Sequence, residues 1–153
     1  MINPQKAVEW YKKTYGDTPL SDYDIYEQLK IFKREFLKIN FAKIDEERLF
    51  NNISKIQQKN SLICARTDDD KLIGSLGFVF VKQFWTEEIS IMVLWCYVLK
   101  EYRQFNTFKN LINMLKKLAK GKEIVFGSMT KIHLDNVMQK LGFEELGKNW
   151  RFK

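Results

Sequence analysis

The stretch from Ile89 to Leu99 constrains this chain more than any other, since ten of its eleven residues are apolar. Its β-branched and aromatic side chains favour a strand. It is far shorter than the roughly 20 apolar residues that a membrane-spanning helix needs. A strand that is apolar on both sides is typical of a sheet whose two faces are covered. The sequence therefore predicts a central strand with helices packed on either face.

A helical pattern follows this strand directly. Its apolar residues recur every three or four positions, which places them on one face of a helix, and Gly121 marks the end. The stripe consists of Phe105, Phe108, Leu111, Ile112, Leu115, Leu118 and Ala119. A further strand, Glu123 to Phe126, comes next. Strand, helix and strand together predict a right-handed parallel crossover.

The chain before the central strand divides into a helical part and a hairpin. Apolar stripes predict three helices, at Ala7–Tyr15, Ser21–Leu37 and Asp45–Lys59. Whether Ile39–Phe41 forms a short strand is not decided by the sequence. The spacing of the apolar residues then changes from a helical to a strand period, which predicts an antiparallel hairpin. The hairpin consists of Leu62–Arg66 and Leu72–Val81 around an Asp-rich turn.

The C-terminal part completes the predicted fold. Ile132–Leu141 predicts a helix closed by Gly142, and Leu146–Phe152 predicts a last strand. We expect a single domain over residues 1–153, helical over 1–60 and carrying the sheet over 61–153. The predicted class is α/β (α+β), a mixed and mostly antiparallel sheet with helices on both faces, preceded by two or three N-terminal helices.

Positive charge is concentrated in the last third of the chain. Eleven Lys and Arg oppose nine Asp and Glu in residues 1–60, three oppose five in 61–99, and twelve oppose five in 100–153. The last third thus carries +7, equal to the net charge of the whole chain. Such a field favours a polyanion, for instance a nucleotide cofactor, an acidic protein or RNA. A solvated lysine-rich surface is the alternative.

The cysteines and the chain start indicate the compartment. Cys64 and Cys96 lie in apolar strands without metal-ligand spacing, which is typical of buried thiols in a reducing compartment. The first residues lack the pattern of a signal peptide. We expect a cytoplasmic protein with no metal and no membrane partner.

Three short segments occur in a fixed order from Leu62 onward. Ile63–Arg66 with Leu72–Leu76 forms a strand, a turn and an I-G-x strand; Val98–Arg103 reads V-L-K-E-Y-R; Gln139–Glu144 reads Q-K-L-G-F-E. In this order they resemble the GNAT (Gcn5-related N-acetyltransferase) superfamily. The resemblance implies acyl transfer from acetyl-CoA or another acyl-CoA.

The resemblance also implies where the cofactor would bind. In this family the strand corresponding to Ile89–Leu99 splays from its neighbour, and the pantetheine arm of CoA pairs with its backbone. The pyrophosphate of CoA meets free amides at the start of the next helix. The implied cofactor residues are Tyr97, Val98, Leu99, Arg103, Gln104, Phe105, Asn106, Thr107, Phe108 and Lys131.

Several of these positions depart from the family pattern. The family loop reads R/Q-x-x-G-x-G/A, whereas this chain has Asn106 and Phe108 at the small-residue positions. Asn106 and Thr107 are also good helix caps, so a side chain could satisfy the amides that a phosphate would need. Phe108 is more simply the first core residue of its helix. Further departures are Lys100 for proline, Lys131 for asparagine, Leu134 for alanine and Met138 for the general-acid tyrosine.

Acyl transfer to an amine needs a base, an acid and a donor for the oxyanion. Glu88, beside Glu87 at the start of the central strand, is a candidate base, as related enzymes often keep a carboxylate there. His133 is a candidate base or acid because an imidazole titrates near neutral pH. Tyr97 is a candidate acid, and Ser128 is a weaker candidate. Structural roles as surface, capping or core residues remain open for each.

The leading hypothesis is an N-acyltransferase that uses a CoA thioester and an amine acceptor, either a small molecule or a protein. A catalytically degenerate GNAT-fold binding or structural protein is the second, and small GNAT-like proteins of bacteriophages resemble this pattern. A basic nucleic-acid-binding module is the third, although no RNA-recognition motif accompanies the charge. We expect a monomer or a homodimer.

Overall fold

The computed structural model describes residues 22–36, 45–127 and 134–147 of the chain. Its elements in order are α1 (Asp22–Phe36), α2 (Glu46–Gln58), β1 (Leu62–Arg66), β2 (Leu72–Lys82), β3 (Ile89–Val98), a 3-10 helix (Lys100–Phe105), α3 (Thr107–Ala119), β4 (Ile124–Phe126) and α4 (Asp135–Lys140). These bounds confirm the predicted helices, hairpin and central strand to within a few residues. The predictions for Ala7–Tyr15 and Ile39–Phe41 lie outside the described residues.

The four strands form one mixed sheet in the order β1-β2-β3-β4. β1 with β2 and β2 with β3 are antiparallel, whereas β3 and β4 are parallel, as the predicted crossover requires. In the predicted last strand, Leu146 and Gly147 are not in strand conformation, and residues 148–152 lie outside the described part of the chain.

α3 covers one face of the sheet. Its buried side chains are Leu111, Ile112, Leu115 and Ala119, and they share a core with residues of all three long strands, among them Ile63, Leu76, Phe78, Ile91 and Val93. The helix ends as expected, because Lys120 and Gly121 both have positive φ. Leu118, however, is 43% exposed and lies outside this core.

α1 and α2 cover the other face, but only at one end of β3. Ile25 and Leu29 of α1 and Ile53 and Ile56 of α2 pack with Leu62 and Cys64 of β1. Trp95 joins this core, and the ring of Tyr97 meets that of Phe32 edge-on at 5.3 Å.

Helices pack on both faces of the sheet, as predicted, but α1 and α2 do not cover the whole length of β3. Met92 is 41% exposed and Leu94 is 47% exposed. The register of β2 with β3 shifts at Gly77 and Phe78, so that Leu94 is an extra residue on β3. Such a bulge bends its strand. The helical cover reaches only the residues that follow the bulge.

Buried polar contacts hold α1 on the sheet. The Arg66 guanidinium, whose side chain is 6% exposed, lies 3.1 Å from the Asp24 carboxylate. The buried Ser75 hydroxyl donates to Gln28 Oε1 and accepts a hydrogen bond from Trp95 Nε1 at 3.0 Å. Buried hydrogen bonds of this kind fix the register of a helix, because leaving one partner unsatisfied costs free energy.

We predict that Gly77→Ala destabilises the fold. A Cβ at Gly77 would lie 2.2 Å from Cη2 of the Trp95 ring, which its hydrogen bond to Ser75 holds in place. Overpacking of this kind costs about 1–3 kcal/mol of unfolding free energy, measurable by urea denaturation. Gly127→Ala is the control, since no heavy atom lies within 4 Å of a Cβ there. Equal stability of the two variants would contradict the clash.

Candidate cofactor and acyl-transfer site

A gap opens between β3 and β4 where their pairing ends. β4 pairs only with Ile91–Val93, whereas β3 continues to Val98. From Leu94 onward, the β4 side of β3 has no strand partner among the described residues. The bulge at Leu94 marks the point where the two strands part. On that side, the second half of β3 is therefore not paired within the described part of the sheet.

The backbone after β3 makes a sharp turn into α3. The Leu99 amide still donates to the Ile73 carbonyl at 2.8 Å, and the 3-10 helix then leads to Asn106. Asn106 has φ 59° and ψ 17°, in the left-handed region. Asparagine adopts this region more readily than other non-glycine residues. Asn106 thus reproduces a conformation that glycine favours, at the position where the family pattern has glycine.

Neither Asn106 nor Thr107 caps the start of α3 with its side chain. Asn106 is the N-cap residue but makes no side-chain capping hydrogen bond, and the buried Thr107 hydroxyl donates to the Tyr102 carbonyl at 3.3 Å. These two side chains therefore do not compete with a ligand for the helix amides.

The first amides of α3 are left facing outward along the helix axis. The Asn110 amide, which bonds the Asn106 carbonyl at 3.0 Å, is the first to reach an acceptor four residues earlier. The amides of Thr107, Phe108 and Lys109 precede it, so the helix itself provides no carbonyl acceptor for them. The positive end of the helix dipole adds to their affinity for an anion.

Phe108 belongs to the core, as its position in the stripe predicted. Its ring lies 6.2 Å from that of Phe126, which in turn lies 6.4 Å from that of Phe143. This aromatic row packs against the core under α3. Phe108 therefore closes the α3 side of the gap rather than covering the amides with its ring.

Arg103 lies across the end of β3. Its Nε–H donates to the Val98 carbonyl at 3.0 Å, and its guanidinium carbon lies 5.6 Å from the centroid of the Tyr97 ring. Tyr97 itself is 2% exposed. The exposed Arg103, with Lys100 and Lys109, gives this end of the sheet positive charge. Glu101 is the acidic residue among them.

The structure does not bring all candidate residues together. Glu88 is exposed, and its amide donates to Thr86 Oγ1 at 3.1 Å in the turn before β3. Glu88 precedes Tyr97 by nine positions, a span of about 30 Å in an extended strand. Glu87 pairs with Lys82. His133, Lys131 and Ser128 lie outside the described residues, and the side chain of Phe105 is likewise not described.

Some features of the site have no signal in the sequence. The bulge at Leu94 interrupts an otherwise uniform apolar run, so its position depends on how β2 pairs with β3. Phe32 lies in the predicted helix Ser21–Leu37, but only the packing places its ring against that of Tyr97. Arg103 was implied as a cofactor residue, and only the structure shows that its side chain bonds the end of β3.

Neither cysteine is suited to nucleophilic chemistry. Burial raises the pKa of the Cys64 thiol well above its usual range, although the nearby Arg66 lowers it in part. Burial likewise raises the pKa of Cys96. Among the described residues, no group of histidine, cysteine and acidic side chains could hold a metal ion. No helix in the described ranges is long and apolar enough to span a membrane.

Solved structures share this architecture. A possible acetyltransferase from Clostridium difficile 630 superposes with a TM-score of 0.65 at 16% identity, over 88% of this chain and 93% of that chain. The chain has the GNAT fold. Glucosamine-6-phosphate N-acetyltransferase from Arabidopsis thaliana superposes with a TM-score of 0.64 at 11% identity, over 88% and 94% of the two chains.

An enzyme that acts on antibiotics has the same fold. Aminoglycoside 6'-N-acetyltransferase from Acinetobacter baumannii superposes with a TM-score of 0.60 at 17% identity, over 89% of this chain and 95% of that chain. No protein-family model and no curated protein matches the sequence. These comparisons confirm the predicted GNAT fold and its mixed sheet with helices on both faces. The sequence identities are too low to indicate that this chain shares a substrate with any of these proteins.

We predict that both thiols resist a thiol reagent in the folded protein at pH 8. Since their pKa values are raised, the thiolate forms only at higher pH, whereas an unfolded cysteine has a pKa near 8.5. The free energy of unfolding is therefore fully retained below about pH 8 and falls as the pH rises beyond the pKa of the unfolded cysteine.

The reactivity of the two thiols is measured with Ellman's reagent, which releases a coloured thiolate, in the presence and absence of denaturant. Rapid labelling of a folded cysteine would contradict it.

Proposed function

We propose that this protein is an N-acyltransferase that moves an acetyl or related acyl group from a CoA thioester to an amine. The observation that carries the proposal is the left-handed conformation of Asn106 at an uncapped start of α3. This conformation keeps the shape that the family loop owes to glycine. It also leaves the first amides of the helix available to a pyrophosphate.

The residues at the end of β3 suit the rest of such a cofactor. An acyl-CoA, when bound, supplies the activated thioester. The unpaired side of β3 at Val98 offers backbone groups to an extended pantetheine, but the Val98 carbonyl accepts a hydrogen bond from Arg103. A pantetheine amide would replace that donor. The exposed guanidinium of Arg103 could then pair with a phosphate, a charge-assisted contact.

The acceptor would approach from the face that α3 does not cover. On the α3 side, the gap is closed by Phe108 and Phe126. On the opposite side, Met92 and Leu94 are exposed, and α1 covers only Trp95 and Tyr97. An amine that reaches the gap from this side passes over apolar side chains before it meets the thioester.

Tyr97 and His133 are the proposed proton-transfer residues. The Tyr97 side chain lies on the face that the acceptor would approach, beneath Phe32, and its hydroxyl would protonate the departing thiolate. His133 would accept the proton of the attacking ammonium, since an imidazole can serve as a general base near neutral pH. Glu88 lies about 30 Å from Tyr97 along β3, so we do not assign it a role in this step.

Enzymes of the same fold support an amine acceptor without identifying it. Two of the similar structures described above are an aminoglycoside and a glucosamine-6-phosphate N-acetyltransferase, and a ribosomal-protein-alanine N-acetyltransferase from Brucella melitensis has a similar fold. An amine is the feature common to these acceptors. We therefore propose a small molecule or a protein that carries one.

A GNAT-fold binding or structural protein without activity is the second candidate. The hydrogen bond from Arg103 to the Val98 carbonyl favours it, because it occupies a backbone group that a pantetheine would use. The bulky Phe108 at a position where the family has a small residue favours it too. Binding of CoA separates the two candidates.

We predict that the protein binds acetyl-CoA at micromolar concentrations and that Asn106→Val weakens this binding about tenfold. A left-handed conformation costs an ordinary residue roughly 1–2 kcal/mol. The fraction of molecules with a competent turn falls accordingly, and the apparent affinity falls with it. Asn106→Gly should retain the wild-type affinity. Isothermal titration calorimetry measures all three proteins.

Asn60→Val is the matched control. Asn60 also has positive φ, at 56°, but it lies between α2 and β1, away from the start of α3. This variant should lose comparable stability in thermal unfolding while its affinity for acetyl-CoA is unchanged. Absence of binding by the wild-type protein at millimolar acetyl-CoA would refute the enzyme proposal and support the second candidate.

We predict that Tyr97→Phe and His133→Ala each lower turnover by about 100-fold, a usual contribution of a general acid or base. Acetyl-CoA affinity should be retained in both, because neither change alters the start of α3. Turnover is measured by release of CoA thiol in the presence of a panel of amines. Full activity of both variants would exclude these two residues from proton transfer.

A further inference from the structure

A chain of buried hydrogen bonds connects α1 with the bulge in β3. The Trp95 indole Nε1–H donates to Ser75 Oγ at 3.0 Å, and the Ser75 hydroxyl donates to Gln28 Oε1 on α1. Ser75 is 0% exposed and Gln28 is 4% exposed. Trp95 directly follows Leu94, the extra residue of β3. We refer to Trp95, Ser75 and Gln28 as the polar relay.

The Trp95 ring marks the position of the bulge. Trp95 pairs with Gly77, and the register shifts between Gly77 and Phe78 of β2. The six-membered ring of Trp95 occupies the place that a Cβ on Gly77 would take, so glycine admits the ring there. Without the extra residue, Trp95 would oppose Leu76 and turn to the α3 face, because side chains alternate along a strand. The hydrogen bond to Ser75 therefore exists only in the register with the bulge.

Stability alone does not account for the polar relay. Gln28 Nε2 is buried and has no hydrogen-bond partner among the described residues. A buried donor without an acceptor costs free energy, and a methionine of similar volume would avoid that cost. Ile25 and Leu29 on the same helix meet the sheet with apolar side chains. A polar contact that is kept at such a cost is expected where the structure must hold one arrangement for function.

The part of β3 that the polar relay fixes belongs to the candidate acyl-transfer site. From Trp95 to Val98, β3 has no strand partner on its β4 side among the described residues. Ser75 lies opposite Tyr97 in the ladder between β2 and β3. α1 also carries Phe32, whose ring meets that of Tyr97 at 5.3 Å. A displacement of α1 therefore reaches β3 at both Trp95 and Tyr97.

We propose that Ser75 is a positioning residue for this site. It holds Trp95 over Gly77 and thereby fixes the segment of β3 with which an extended pantetheine would pair. It also ties that segment to α1 through Gln28. Because Ser75 is fully buried, it acts through Trp95 and not by contact with a substrate. The inference rests on the proposed function, which assigns this segment to the cofactor.

Ser75→Ala tests the proposal, because it removes both hydrogen bonds of the polar relay and fits the space of the serine. Isothermal titration calorimetry should show acetyl-CoA binding weakened about tenfold, the usual effect of one or two lost hydrogen bonds. Hydrogen exchange followed by NMR monitors the bulge without any cofactor. The Trp95 indole proton and the amides of β3 after the bulge should exchange about tenfold faster than in the wild type.

Asp24→Asn is the matched control. The Asp24 carboxylate also holds α1 on the sheet, at 3.1 Å from the guanidinium of Arg66, but Arg66 lies on β1 and is not part of the polar relay. This variant should lower the midpoint of urea unfolding as Ser75→Ala does. Its affinity for acetyl-CoA and the exchange of its Trp95 indole proton should equal those of the wild type. An equal loss of affinity in both variants would overturn the proposal, since the relay would then only anchor α1.

Gln28→Met separates positioning from stability. It should retain the urea midpoint, because the buried donor without an acceptor is removed. Its acetyl-CoA affinity should nevertheless fall about threefold, since one hydrogen bond of the polar relay is lost. A lower midpoint with unchanged affinity would contradict the proposal.

The wild-type protein distinguishes failure of this inference from failure of the proposed function. A wild type that binds no acetyl-CoA would refute the proposed function itself. A wild type that binds acetyl-CoA, together with a Ser75→Ala variant of equal affinity, would refute only the positioning role of Ser75.

Discussion

β2 and β3 pair over nine positions, and the other parts of this structure are arranged around that antiparallel ladder. The ladder supplies the inner faces against which α3 packs on one side and α1 with α2 on the other. Its one irregularity, the extra residue at Leu94, divides β3 into two halves. The first half pairs with β4, whereas the second half has no strand partner on its β4 side among the described residues. The bulge thus separates the part of β3 that is paired on both sides from the part that is paired with β2 alone there.

The start of α3 has the left-handed conformation that glycine favours, although its residue is asparagine. The steric cost of the left-handed region comes from Cβ, and asparagine tolerates it better than most side chains. Asn106 adopts this conformation at the position where the family pattern has glycine. Its side chain does not cap the helix. Phe108, the other departure, turns into the core and meets Phe126.

The two ends of β3 differ in their electrostatics and exposure. The end that leads into α3 carries an excess of positive charge and an enclosed tyrosine under Phe32. The end that begins at Ile89 follows a turn with exposed aromatic residues, Phe84 and Trp85.

The sequence by itself determined the order of elements, the central strand and the core stripe of α3. These follow from local periodicity, because a helix that buries Leu111, Ile112 and Leu115 must repeat apolar residues every three or four positions. The sequence also showed that the turn after β3 departs from the loop pattern of the GNAT family. Only the tertiary structure decided that Asn106 is left-handed and that Leu94 is a bulge. Those features depend on strand pairing and on contacts between residues distant in the chain, which no local pattern encodes.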